Sequence, residues 1–268
     1  MTAPRLRQRL AAVAAEGRAA LVVYLTAGDP DGATTVEIIA AAAAAGADVI
    51  ELGVPFSDPS ADGRAIQAAM ERALAAGGGL PSALATVAAV RARGVEVPIV
   101  LFGYFNPIFV HGVERFAAEA AAAGVDAVLT VDLPLEELDE LAAPLAAAGL
   151  GVIPLVAPTS TPARIARVAA LAPPFVYYIS LTGVTGAAFD AARVGAARVD
   201  AIRAATHAPV AVGFGIKTPA DAAAIAGIAD AVVVGSAVVE RIGAAGGDAP
   251  AVIAPFIASL RAAMARRA

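Results

Sequence analysis

ALVVYLTAGDPDGATTVEIIAAAAAAGADVIELGVPFSDPSADG, residues 20–63, contains one full round of the pattern that decides the fold. An apolar, β-branched run (20–26) breaks at a Gly-Asp-Pro turn. An alanine-rich stretch (32–45) follows with helical character and closes on Gly46, and a second short apolar run (47–52) succeeds it. Runs this short and this continuously apolar suit parallel strands covered on both faces. Working outward, the same alternation recurs, with further strand-like runs at 97–102, 125–131, 149–156, 175–180, 209–213 and 231–234. Helix-compatible segments lie between them at 66–76, 81–93, 113–123, 135–148, 162–171 and 219–226. Pro81, Pro162 and Pro219 suit first-turn positions, and Gly94, Gly124 and Gly149 suit helix ends.

Eight βα units without a linker-like stretch imply an α/β chain with a single domain over 1–268, a (β/α)8 TIM barrel; a doubly wound open sheet is the alternative. The N-terminus reads as an amphipathic helix plugging the lower end. Two βα loops are long: loop two (53–63) and loop six (181–194). A turn at 243–247 is expected before a last helix at 252–267.

Composition narrows the chemistry. Apolar residues make up 59%, but alanine supplies nearly half of them, and no run of about 18 uncharged apolar residues occurs. No membrane partner is expected. A net charge of −5 with scattered arginines argues against nucleic acid. The chain has no cysteine, one lysine (Lys217) and two histidines (His111, His207). Thiol chemistry is excluded, a histidine metal cage is not expected, and a Schiff base would depend on Lys217. The lack of cysteine fits a cytoplasmic setting.

In barrels of this kind, functional groups gather at the C-terminal ends of the strands. Those ends carry Tyr24, Thr26 and Asp29; Glu51; Tyr104 and Asn106; Leu129 and Asp132; Pro154; and Tyr177. Glu51 lies in an apolar strand, where a carboxylate is costly unless paired or used. It is either a structural carboxylate or an acid–base group, with Asp58 and Asp62 in the loop beyond it. Three glycine turns, GVTG (183–186), GFGI (213–216) and VGSA (234–237), stand after strands six, seven and eight. They either make tight turns only or let backbone N–H groups approach a phosphate. Asp29 before Pro30 suits a turn or cap, and His111 and His207 lie beside helices away from the strand ends.

ELGVPFSDPSADG (51–63) resembles the signature of the tryptophan synthase α chain family. YLTAGDP (24–30), GYFNP (103–107), SLTGVTG (180–186), GFGI and VGSA resemble its flanking pieces in the family's order, across nearly the whole chain. The resemblance implies retro-aldol cleavage of indole-3-glycerol phosphate to indole and glyceraldehyde 3-phosphate. It also implies a partner β chain carrying pyridoxal phosphate, in an α2β2 assembly, with no cofactor or metal in this chain. By motif, Glu51 is the acid–base residue, Asp62 faces the indole N–H, and Tyr177 stands beside Glu51. Tyr24, Leu101, Leu129 and Phe214 line the indole pocket, and Thr185 bonds Asp62 on lid closure. Gly186, Gly215, Gly235 and Ser236 hold the phosphate.

The inventory agrees with that chemistry. An aldol cleavage needs an electron sink, and an indole protonated at C3 is its own. Ser60 and Arg64 depart from the family pattern, in which a larger apolar residue and a proline are usual. Arg64 puts a cation near Asp62 and bears on lid movement and coupling to the β chain. Alternatives are a stand-alone indole-releasing lyase and a catalytically silent subunit that activates a β chain.

Overall fold

The computed structural model describes residues 2–179, 195–213 and 215–265. In chain order the elements are α1 (Pro4–Ala15), β1 (Ala20–Thr26), α2 (Gly32–Ala44), β2 (Val49–Gly53), α3 (Arg64–Ala75), α4 (Leu80–Ala92), β3 (Ile99–Gly103), α5 (Phe105–His111), α6 (Val113–Ala123) and β4 (Ala127–Thr130). They continue with α7 (Asp139–Ala147), β5 (Gly151–Val152), β6 (Leu155–Val156), α8 (Pro162–Ala170), β7 (Val176–Tyr178), α9 (Ala196–Thr206), β8 (Val210–Val212), α10 (Pro219–Ala226), β9 (Ala231–Val234), α11 (Ser236–Ala245), a 3-10 turn (Gly246–Asp248) and α12 (Ala249–Ala263).

All strand pairs are parallel, and the sheet order is β5-β4-β3-β2-β1-β9-β8-β7-β6. Its two ends, β5 and β6, are consecutive halves of one run, so the sheet closes on itself as the barrel expected. The expected fifth strand is therefore interrupted at Ile153–Pro154. Ile153 N–H still donates to Val128 at 2.9 Å, while Pro154 offers only its carbonyl, which accepts from Tyr177 N–H at 3.0 Å. A proline has no N–H to give to a ladder, which suits it to this seam.

Side chains alternate between two cores. Val22, Val49, Val100, Ala127, Leu129, Ile153, Phe175, Ala211 and Val233 fill the barrel, and Leu6, Leu10 and Val13 of α1 close its lower end. The other parity, including Leu21, Val23, Leu25, Ile50, Leu52, Ile99 and Val128, packs against the outer helices.

Helix starts follow local chemistry. Asp31 accepts from Thr34 N–H at 2.8 Å before α2, and Thr218 and Asp221 form a reciprocal cap on α10. Gly46, Gly94, Gly124 and Gly149 all have positive φ after helices. Several elements differ from the expectation. The helices α5 and α9 go beyond the expected set, α3 begins at Arg64 rather than 66, and the last helix begins at Ala249 rather than 252. The helical stretch Ser236–Ala263 is long and apolar enough to cross a membrane. It is broken by the 3-10 turn, and Ala237, Val238, Val239, Ile242, Ile253, Ile257 and Leu260 are buried in the core.

Candidate active site

Register carries the site across the sheet. Tyr24 lies beside Glu51 and Glu51 beside Val100, so all three project into the barrel. One layer higher, Gly53 lies beside Phe102 and Phe102 beside Leu129. A Cβ at Gly53 would come within 2.1 Å of the Tyr24 hydroxyl, so only glycine leaves the ring its place there. Tyr24 and Phe102 meet edge to face, with ring centroids 5.3 Å apart.

Glu51 is 1% exposed, and among the described residues its Oε1 has no hydrogen-bond partner. Burial alone pushes its carboxyl up to about 8. The group is then a neutral acid at pH 7, with one oxygen left over for something that enters the barrel. Burial also raises the phenols of Tyr24 and Tyr177, and the charges of Asp62 and Glu51 raise both further. The four groups therefore feel one another within a single site. The Tyr177 hydroxyl donates to the Gly213 carbonyl at 3.4 Å, where a Cβ would meet it at 2.5 Å.

Asp62 is delivered by loop two. Its Oδ2 accepts from the Tyr104 hydroxyl at 2.6 Å, and Gln67 of α3 donates to its main-chain carbonyl at 2.9 Å. Burial raises the Asp62 carboxyl, and the Tyr104 bond pulls it back down. Arg64 starts α3 with Gly63 before it, and among the described residues it makes no ion pair with Asp62.

After β9, Gly235 precedes α11 and lies against Tyr24, 3.5 Å from its Cβ to the position a Gly235 Cβ would take. Among the described residues no side chain caps α11, whose first residue is Ser236, so its opening N–H groups are left for another partner. Gly215 has φ +71°. Thr185, Gly186 and Phe214 lie outside the described residues.

One expected residue is misplaced. Leu101 is 1% exposed in the outer core, with the opposite parity to Glu51, and Phe102 takes the barrel-facing position. Counting in steps of two from Val100, the partner of Glu51, finds Phe102. Tyr104 was legible as a strand-end residue but not as the partner of Asp62. Asp29 is tied by two 2.8 Å bonds to Arg72 of α3, and Asp132 accepts from Phe105 N–H at 2.8 Å; both hold loops. His111 pairs with Glu119 at 2.8 Å, His207 ends α9, and the Lys217 N–H donates to Asp221. Among the described residues, no cluster of three or more metal-ligating side chains occurs.

The comparisons with known proteins agree with this architecture. The family model described as "Tryptophan synthase alpha chain" matches residues 10–265. The tryptophan synthase alpha chain of Burkholderia multivorans is 52% identical over 97% of this chain and 96% of its own. That of Geobacter sulfurreducens is 55% identical over 92% and 94%. Among solved structures, tryptophan synthase subunit alpha from Legionella pneumophila superposes with a TM-score of 0.91 at 37% identity, covering 98% of both chains. A barrel with this strand order, and likeness running along nearly its full length, lead to one statement: the chain belongs to the tryptophan synthase alpha chain family.

Proposed function

We propose that this chain cleaves indole-3-glycerol phosphate to indole and glyceraldehyde 3-phosphate as the alpha subunit of a tryptophan synthase. The observation that carries the reading is Glu51, a buried carboxyl held neutral, with an unbonded oxygen, in an aromatic-walled barrel mouth beside Asp62. Neutral Glu51 donates its proton to indole C3. The resulting carboxylate then removes the proton from the glycerol hydroxyl next to the ring. The O–H electrons become the aldehyde C=O, the C–C bond breaks, and its electron pair restores the indole ring. Glu51 ends protonated, as it began. Asp62 stabilises the positive charge that develops at the ring N–H.

Tyr177 stands beside Glu51, and Tyr24, Phe102 and Leu129 wall the ring. Gly215, Gly235 and Ser236 bind phosphate, joined by Gly186; Thr185 and Phe214 complete the pocket by family resemblance. We assign all of residues 1–268 to one cytoplasmic domain that carries no cofactor of its own. Its partner is a β chain that holds pyridoxal phosphate, assembled as α2β2. Phe109 and Val110, in α5 just beyond the C-terminal end of β3, are 63% and 77% exposed and supply an apolar contact for that chain.

The test is direct. Indole-3-glycerol phosphate is mixed with the chain, with and without a β chain, and both products are followed. Equimolar indole and glyceraldehyde 3-phosphate are expected, with faster release when the β chain is present. No product under either condition rejects the reading.

A further inference from the structure

The mechanism needs Asp62 ionised and aimed at the ring nitrogen, yet Asp62 belongs to a loop and not to a strand. Its one side-chain bond among the described residues comes from Tyr104. Tyr104 is 3% exposed and follows β3 directly. The main chain on either side of it is pinned: the Gly103 carbonyl accepts from Val131 N–H at 3.0 Å, and Phe105 N–H donates to Asp132 at 2.8 Å. Its ring packs on Phe56 of loop two, with centroids 5.0 Å apart. The same hydroxyl that donates to Asp62 Oδ2 at 2.6 Å accepts from Ala61 N–H at 2.9 Å. One phenol thus grips both the side chain of Asp62 and the backbone just before it.

We infer that Tyr104 is the positioning residue that fixes loop two to the barrel and aims the Asp62 carboxylate. The inference rests on the cleavage proposed above. Tyr104 touches no reacting atom in that scheme and acts through Asp62. A hydrogen bond to an ionised carboxylate stabilises the ionised form, so loss of the hydroxyl lets Asp62 hold its proton to higher pH.

The test is Tyr104→Phe, which keeps the ring on Phe56 and removes only the hydroxyl. Cleavage by the α2β2 complex should fall about tenfold to a hundredfold in kcat, with KM changed less than about threefold, as loss of one charge-assisted bond predicts. The acid limb of kcat/KM and the Asp62 carboxyl titration, followed by carbon NMR on the free chain, should both move to higher pH. Should Tyr104→Phe fold poorly, 3,5-difluorotyrosine at 104 retains the packing and donates more strongly, and both readings should move to lower pH.

A rate and acid limb unchanged in a folded Tyr104→Phe protein overturn the role, as does loss of stability alone. The NMR titration needs no substrate, so the two proposals fail separately. An Asp62 titration that does not move sinks the Tyr104 link alone. A wild-type protein that releases no indole sinks the cleavage reading, and this role with it.

Discussion

At residue 51 the barrel accepts a destabilising choice. The folded pKa, near 8, lies above the roughly 4.3 of an unfolded glutamate. The native state therefore keeps a proton that the unfolded chain releases, and stability falls as pH rises through that window, by about 1.4 kcal/mol per unit. Glu51→Gln is neutral at every pH. It should melt several degrees above wild type at pH 8.5, with the gap closing towards pH 4.5, while cleavage drops at least about a hundredfold. Calorimetry across pH and an indole assay check the two arms, and equal melting at pH 8.5 would contradict the burial argument. Wild-type kcat/KM should also decline above about pH 8, as Glu51 loses the proton it must give.

Glu51 was legible in the sequence because a charge among Val49, Ile50 and Leu52 has few innocent explanations. The choice between Leu101 and Phe102 was not. In an all-apolar strand, composition does not tell which parity faces inward; only the register to Glu51 does. Tyr104 was harder still, because its partner lies 42 residues away in a loop.

Among elements, three strand junctions share one device. Asp48, Asp126 and Asp230 each precede a strand and accept, at 2.8 Å, the first free N–H of the neighbouring strand, from Leu21, Ile99 and Val210. Each also returns its own N–H to that residue's carbonyl, at 2.8, 2.9 and 3.0 Å respectively. Arginines then neutralise the carboxylates: Arg9 and Arg18 at Asp48, Arg5 and Arg91 at Asp126, and Arg203 at Asp230. Burial ranks these clamps. The Asp48 side chain is 0% exposed and that of Asp230 is 36% exposed. Asp48→Ala leaves a buried N–H without its acceptor and removes the carboxylate that Arg9 and Arg18 share, and should cost about 3–5 kcal/mol, against about 1 kcal/mol for Asp230→Ala. Urea unfolding of the two variants measures the difference, and equal losses would show that burial does not set the scale. The recurring Asp was visible in GADVI, GVDAV and IADAV, but its role depends on a neighbouring strand that no local pattern supplies. The broken fifth strand was hidden in the same way, since an apolar run containing Pro154 reads as continuous until its two halves are seen pairing in opposite directions around the barrel.

Over the whole molecule the two ends of the barrel divide the work. The lower end holds the aspartate clamps and the α1 plug, while the upper end holds the acids, the uncapped α11 and the exposed pair on α5. Phe109→Asp should weaken β-chain binding at least about tenfold, read as Kd by titration calorimetry, because a charge then enters an apolar contact. At 63% exposure the change should leave the melting temperature of the free chain nearly unmoved. Unchanged binding would place the contact elsewhere.

The closure of the sheet also orders events in time. β1 pairs with β9, more than two hundred residues later in the chain, and Ala3 N–H donates to the Gly149 carbonyl at 2.9 Å. A chain emerging from the ribosome therefore makes its first strand and its stopper long before either has a seat. Contacts this distant in sequence close late and slow the final step. Until residue 234 has been synthesised, Leu6, Leu10 and Val13 have no complete barrel to enter, and the nascent chain must carry that apolar face uncovered.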